Sequence, residues 1–171
     1  MIKLLQCENF YNQQDIINIQ SLIPNLVFIE KEHGWEPEGF NLTVPNLDPI
    51  FSKFTGEDVF VDEENSGIFR KPNLRIHFES FDTPKEWLFI LAIEPTTFNL
   101  YHHLSNGIGS SIDCRGAVEQ YRFNYNNLLE WDCYTNILLE PNQGVIFRPW
   151  LFHSLTHERT IQIYRLKEKI S

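Results

Sequence analysis

The segment Gly144-Val-Ile-Phe-Arg-Pro-Trp-Leu-Phe-His153, with residues 154–166 behind it, decides the predicted fold. It predicts a strand that ends on a histidine, a tight reversal through residues 156–158, and a last strand that begins with Arg159. A histidine at the end of one strand and an arginine at the start of the next can converge on one small pocket. These two side chains are therefore the first candidates for a functional site.

Most of the chain after Gly67 is predicted to form short β-strands, because apolar and polar residues alternate there. The predicted strands cover residues 74–80, 87–94, 97–104, 117–123, 134–140, 145–150 and 159–166. The second of these is apolar on both faces, which indicates a central strand covered on both sides. Strands at roughly even spacing with turn signals between them indicate a sandwich or a barrel.

Helix is predicted only near the N-terminus. Asn12 is a suitable N-cap for a short amphipathic helix, Asp15 lies in its first turn, and Pro24 ends it. A second short helix is predicted at 49–54. We therefore predict one mainly β domain over residues 1–171, in which residues 1–66 form an α/β cover with loops.

Composition and charge limit the possible partners. The net charge of −9 repels a phosphate backbone, so nucleic acid is not an expected partner. A membrane partner is not expected either, because the chain lacks a Lys/Arg cluster and its longest apolar run, 87–93, is too short to span a bilayer. The three cysteines have no CxxC spacing, which argues against a disulfide framework and favours a cytoplasmic protein.

A candidate metal site follows from strand alternation. His77 and Glu79 lie on the same face of a predicted strand, about 7 Å apart along it. A histidine and a carboxylate at this spacing can both reach one metal ion, and His153 would complete a set of two imidazoles and one carboxylate. Such a set leaves coordination positions open and suits non-haem Fe(II).

An arginine can supply the anchor for an organic acid at this site. Arg159 begins the final strand, six residues after His153, and its planar guanidinium suits bidentate capture of a carboxylate. A 2-oxo acid that chelates iron would need such an anchor at its far end. Arg165 lies on the same strand face but about 20 Å further along, which makes it the weaker candidate.

Residues 147–153, Phe-Arg-Pro-Trp-Leu-Phe-His, followed by Arg159-Thr-Ile-Gln-Ile, resemble the C-terminal half of 2-oxoglutarate/Fe(II)-dependent oxygenases. The segment from Glu8 to Asp15 is similar to the lead-in of the prolyl-hydroxylase-like members. The resemblance implies a double-stranded β-helix, a jelly-roll or cupin-like barrel, with its core at 67–168. It also implies His153 as the second iron histidine and Arg159 as the 2-oxoglutarate anchor.

The function implied by this resemblance is oxygenation, in particular hydroxylation, that depends on Fe(II) and 2-oxoglutarate. The substrate would be a small molecule or a protein side chain. Asn99 and Tyr101 share a predicted strand face with His103 and are candidates for hydrogen bonds to the cosubstrate.

Alternatives remain at both the site and the function. The chain has no His-x-Asp, and its one His-x-carboxylate is His77-Phe-Glu79. A competing alignment takes His103-Leu-Ser105 as the first motif and makes His103 an alternative metal ligand. We prefer His77 because the barrel then gains its next two strands from 87–104. The functional alternatives are a barrel without iron that binds ligands or partners, and a cupin-type metalloenzyme without 2-oxoglutarate.

Overall fold

The computed structural model describes residues 4–31, 34–38, 44–71, 76–79, 83, 85–104, 128–156 and 159–169. In chain order its helices and strands are β1 Leu4–Cys7, α1 Gln13–Leu22, β2 Phe28–Lys31, β3 Gly34–Pro37, α2 Asp48–Thr55, β4 Val59–Val61, β5 Gly67–Lys71, β6 Trp87–Ala92, β7 Thr96–His103, β8 Trp131–Leu139, β9 Gly144–Phe147, β10 Phe152–Thr156 and β11 Arg159–Glu168. The strand predicted at 117–123 and the turn residues 157–158 lie outside the described residues.

Both predicted helices are present. The side chain of Asn12 caps α1, where its Oδ1 accepts a hydrogen bond of 2.9 Å from the backbone N–H of Asp15. Helix α2 ends at Gly56, whose φ of 71° places it in the left-handed conformation that a helix C-terminus favours. Neither helix is long and apolar enough to cross a membrane, nor is any other among the described residues.

Two antiparallel sheets form the barrel. The larger sheet has the strand order β1-β9-β6-β11-β5-β3-β2, and β4 also pairs with β11. The smaller sheet has the order β10-β7-β8, and residue 77 adds an antiparallel bridge to β10. This mainly β arrangement confirms the predicted fold class, a cupin-like or jelly-roll barrel. Strands β1 to β4 join the larger sheet, so the N-terminal residues extend the barrel wall as well as cover it.

Strand β6 lies at the centre of the core, and all six of its residues are buried, as the sequence predicted. Leu88, Ile90 and Ala92 pack between the two sheets with residues such as Phe98 of β7. Trp87, Phe89 and Leu91 pack on the other face, in a cluster with both α-helices. The N-terminal helices therefore cover the outer face of the larger sheet, and the space between the sheets is left to the barrel core.

The segment from Gly144 to His153 differs from its prediction. The sequence predicted one strand that ends on His153, but β9 ends at Phe147 and His153 belongs to the next strand, β10. Pro149 has no N–H to donate to a strand ladder, and the backbone N–H of Leu151 instead donates to the carbonyl of Arg148 at 3.1 Å. The chain therefore turns at 148–151 and passes from the larger sheet to the smaller one.

The close approach of β6 to Gly144 of β9 leads to a stability prediction. A Cβ at this position would lie 2.3 Å from Cε2 of Phe89 and 2.7 Å from the carbonyl oxygen of Ile90. We expect Gly144→Ala to lower the free energy of unfolding by about 1–3 kcal/mol, as overpacking does, measured by urea denaturation. Gly56→Asn is the control, because no atom lies within 4 Å of its Cβ and asparagine tolerates the left-handed backbone. Equal unfolding midpoints for the two variants would contradict this expectation.

Candidate metal centre

His153 is held deep in the barrel at one fixed orientation. It lies on β10 opposite Leu100 of β7, and its residue surface is 1% exposed. Its ring packs against Phe147, with ring centroids 4.8 Å apart. Its Nδ1 lies 2.9 Å from the carbonyl oxygen of Leu151, which can only accept a hydrogen bond. Nδ1 therefore carries the proton, and Nε2 is the ring nitrogen that could bind a metal ion.

His77 and His153 face each other across an antiparallel bridge. The backbone N–H of His77 donates to the carbonyl of His153 at 3.0 Å, and the reverse bond is 2.8 Å long. Residues paired in this way project their side chains to the same face of a sheet, and the two imidazole centroids are 4.3 Å apart. The backbone N–H of Glu79 donates to the carbonyl of Pro149 at 2.9 Å. Glu79 lies two residues beyond His77, so strand alternation returns its side chain to the same face.

The structure brings together the three side chains that the sequence singled out. One ligand atom from each of His77, Glu79 and His153 lies within 4.8 Å of the other two. His77 Nε2 is 3.5 Å from Glu79 Oε1. Atoms about 2 Å from a shared ion lie roughly 3–4 Å apart, so a small side-chain rotation closes the group around a metal. Two neutral imidazoles and one carboxylate, with positions left open, fit a non-haem Fe(II) ion.

The cluster is open on one side. The His77 side chain is 39% exposed and that of Glu79 is 20% exposed, whereas His153 is buried. A metal held here would have protein beneath it and access for a small molecule from above.

Arg165 lies beside this cluster. Its Nη2 is 3.5 Å from Glu79 Oε2, and its side chain is 18% exposed. The backbone of Arg165 is held in β11 by pairing with Leu88, and its N–H donates to the side-chain oxygen of Ser66 at 2.9 Å. The sequence ranked Arg165 second because it lies about 20 Å beyond Arg159 along the strand. Strand phase does not reveal which end of β11 reaches the site.

The structure does not bring Arg159 to the cluster. Arg159 opens β11 opposite Lys71, and its Nε donates to the carbonyl of Pro95 at 3.0 Å. Six residues along a strand separate it from Arg165, which corresponds to about 20 Å. Proximity to His153 in the sequence was misleading, because Arg159 begins β11 opposite Lys71, at the end of the strand far from the contact of Arg165 with Glu79.

Asn99 and Tyr101 also lie away from the cluster. The Tyr101 hydroxyl is 3.0 Å from Ser154 Oγ, and Asn99 Nδ2 donates to the same oxygen at 3.3 Å. Ser154 follows His153 directly, so the two side chains point to opposite faces of β10. Asn99 and Tyr101, the predicted cosubstrate contacts, therefore both bond to Ser154 of β10, on the face of the smaller sheet that is turned away from His153.

The alternative ligand His103 has a different environment. It is 4% exposed, its Nε2 lies 3.6 Å from Glu130 Oε2, and its ring meets that of Trp131 edge-on at 5.1 Å. It lies three residues beyond the position on β7 that faces His153. Within the described part of the chain, His77, Glu79 and His153 form the one group of three potential ligands close enough to share an ion.

Comparisons with known proteins bear on the fold. No protein family model and no curated protein matches the sequence. Solved structures do match: the non-heme alpha-ketoglutarate-dependent epimerase SnoN from nogalamycin biosynthesis has a TM-score of 0.62 at 9% identity, over 96% of this chain and 78% of that one. HygX from Streptomyces hygroscopicus, with nickel and 2-oxoglutarate bound, has a TM-score of 0.56 at 9% identity, over 99% of this chain and 84% of that one. The chain has the fold of these enzymes.

A third solved structure also matches at low sequence identity. The non-heme alpha-ketoglutarate-dependent carbocyclase SnoK, also from nogalamycin biosynthesis, has a TM-score of 0.58 at 7% identity, over 96% of this chain and 79% of that one. Two of these structural neighbours, SnoN and SnoK, are therefore alpha-ketoglutarate-dependent enzymes, and the third, HygX, binds 2-oxoglutarate. Identities this low establish the shared fold alone, and the prolyl-hydroxylase-like subtype stays a prediction.

Proposed function

We propose that this protein is an Fe(II)- and 2-oxoglutarate-dependent oxygenase of the hydroxylase type. The observation that carries the proposal is the convergence of His77, Glu79 and His153, whose ligand atoms lie within 4.8 Å of one another. One barrel fold can host unrelated functions, so the donor set supports the activity more strongly than the fold does.

The chain's own residues would hold the metal and limit its charge. His153 offers Nε2 in a fixed tautomer, because its Nδ1 is bonded to the carbonyl of Leu151. His77 offers a second imidazole from its isolated bridge to His153, and the carboxylate of Glu79 reduces the net charge of the centre. Iron and 2-oxoglutarate, when bound, supply the oxidative chemistry with O₂.

We propose Arg165 as the residue that binds the distal carboxylate of 2-oxoglutarate. Its guanidinium lies beside the cluster and is largely shielded from water, which strengthens its attraction to an anion. The planar guanidinium can donate two parallel hydrogen bonds to a carboxylate. In the structure the same guanidinium faces Glu79, so it already compensates one carboxylate at this site.

The proposal is tested by adding Fe(II) and 2-oxoglutarate to the purified protein without oxygen. We expect a visible charge-transfer band that requires both components, and substrate-independent turnover of 2-oxoglutarate once O₂ is admitted. Metal binding without the band would instead favour a cupin-type metalloenzyme. The absence of metal binding would contradict both enzyme assignments and leave the alternative that the barrel is a ligand-binding or interaction module.

Substitution of the two arginines separates their roles. We expect Arg165→Gln to weaken 2-oxoglutarate binding about 10- to 100-fold, because a charge-assisted hydrogen bond contributes about 1.5–3 kcal/mol. Fe(II) binding should persist, since Arg165 is not a ligand. The matched variant Arg159→Gln should bind 2-oxoglutarate like the wild type. Anaerobic titration of the two Fe(II)-loaded variants with 2-oxoglutarate measures their affinities. A greater loss of 2-oxoglutarate affinity in Arg159→Gln than in Arg165→Gln would restore Arg159 as the anchor.

A further inference from the structure

The turn at residues 148–151 contacts two of the three candidate ligands through its backbone carbonyls. The carbonyl of Pro149 accepts the backbone N–H of Glu79, and the carbonyl of Leu151 accepts Nδ1–H of His153, both at 2.9 Å. The turn is closed by its own hydrogen bond from Leu151 to Arg148. A displacement of this turn would therefore move a carboxylate and an imidazole of the site together.

The side chain of Arg148 fixes this turn to the rest of the protein from three directions. Its Nη2 donates to Glu57 Oε1 at 2.7 Å, and its Nη1 donates to the carbonyl of Glu86 at 3.1 Å. Its guanidinium carbon lies 3.5 Å above the ring centroid of Trp87. The side chain is 14% exposed, so water competes little for these contacts.

Glu57 completes the connection to the N-terminal cover. It follows the C-cap of α2, and its second carboxylate oxygen accepts the indole N–H of Trp87 at 2.7 Å. Trp87 is fully buried at the start of β6. Burial lowers the pKa of Arg148, whereas the hydrogen bond and the charge of Glu57 raise it. A guanidinium stays charged at neutral pH, so one ion pair joins helix α2, the central strand and the turn.

We propose that Arg148, paired with Glu57, is a positioning residue for the candidate metal centre. The pair holds the turn so that the carbonyls of Pro149 and Leu151 keep Glu79 and His153 in place to bind one ion. Arg148 does not itself contact either ligand side chain in this arrangement. The inference rests on the proposed function only for the identity of the bound metal.

The first test compares Fe(II) affinity in Arg148→Ala, Arg148→Lys and a matched control. Loss of a partner outside the coordination sphere lowers metal affinity about 10- to 100-fold, and we expect Arg148→Ala to fall in this range. Arg148→Lys keeps the charge beside Glu57 but loses the planar fork, so it should recover part of the affinity. The control Asp62→Asn removes another ion pair, with Lys167 Nζ at 2.8 Å, that does not touch the turn. It should lower the melting temperature and leave the Fe(II) affinity unchanged.

The second test needs no metal. In the apoprotein, Arg148→Ala should accelerate hydrogen exchange of the Glu79 amide and release the fixed Nδ1–H tautomer of His153, both measured by ¹⁵N NMR. Asp62→Asn should change neither signal. If Arg148→Ala does not fold, the isosteric Glu57→Gln takes its place with the same expectations in a weaker form.

The two proposals fail in different ways. A wild-type protein that binds no Fe(II) contradicts the proposed function, while the apoprotein signals still report on the turn. Unchanged Glu79 exchange and His153 tautomer in the Arg148 variant overturn the positioning role whether or not iron binds. An equal loss of Fe(II) affinity in Asp62→Asn would overturn it as well, because general destabilisation would then account for the effect.

Discussion

Replacing His153 with glutamine is expected to abolish tight Fe(II) binding. His153 is the one buried residue of the three candidate ligands, and the amide of glutamine is a much poorer ligand than an imidazole. We expect the affinity to fall by more than the roughly 100-fold upper limit seen when only an outer partner of a ligand is removed. Glutamine is preferred to alanine, because the ring packs between Phe98 and Phe147 and its loss would open a cavity in the core.

Anaerobic calorimetry with Fe(II) measures this effect, and two other histidines provide controls. His102 lies 3.4 Å from Asp132 and outside the cluster, so His102→Gln should bind Fe(II) like the wild type. His103→Gln tests the alternative alignment. A large loss of affinity in His103→Gln, with retention in His153→Gln, would transfer the metal site to the end of β7 and refute the present assignment.

Replacing Asn142 with alanine is expected to cost about 3–5 kcal/mol in the free energy of unfolding, because two buried backbone groups lose their partners. Asn142 Oδ1 accepts the backbone N–H of Tyr11, and its Nδ2 donates to the carbonyl of Tyr11, each at 2.8 Å. The residue is 6% exposed, so water does not replace these bonds easily. Its φ of 69° adds backbone strain for alanine, whereas asparagine tolerates this conformation.

This asparagine attaches the segment before α1 to the barrel. Its backbone N–H donates to the carbonyl of Ala92 at 2.9 Å, and its carbonyl accepts the backbone N–H of Phe10 at 3.1 Å. Tyr11 then reaches across the sheet, where its hydroxyl donates to Gln162 at 2.8 Å and lies 2.5 Å from the hydroxyl of Tyr164. Burial, followed by the proximity of the other tyrosine, raises the pKa of Tyr11 far above its ordinary value, so the phenol stays neutral. Loss of the asparagine should therefore loosen the whole N-terminal cover.

Urea denaturation measures the stability of Asn142→Ala against a matched control. Asn46 has a similar φ of 63° but is exposed, so Asn46→Ala reports the backbone strain alone. We expect that strain to cost about 1–2 kcal/mol. Equal losses in the two variants would show that the Tyr11 hydrogen bonds contribute little.

Several features of this protein follow from the local pattern of its sequence. Alternation predicted that His77 and Glu79 share a face, and their side chains do lie 3.5 Å apart, although the described residues 76–79 form an isolated bridge at His77 and not a strand. Unbroken apolar character predicted that Trp87–Ala92 is covered on both sides. The N-cap at Asn12 and the mainly β class were also predicted from local patterns of residues. Side-chain direction in a strand and capping of a helix depend on residues a few positions apart, so the chain alone encodes them.

Only the tertiary structure decided which distant residues meet. Arg165 rather than Arg159 lies beside Glu79, because the pairing of β11 with β5 and β6 sets its position along the barrel. Asn99 and Tyr101 lie on the outer face because β7 pairs with β10 in a register that places Leu100 opposite His153. Register between strands far apart in the chain depends on the packing of the whole core, and a local pattern of polar and apolar residues does not contain it.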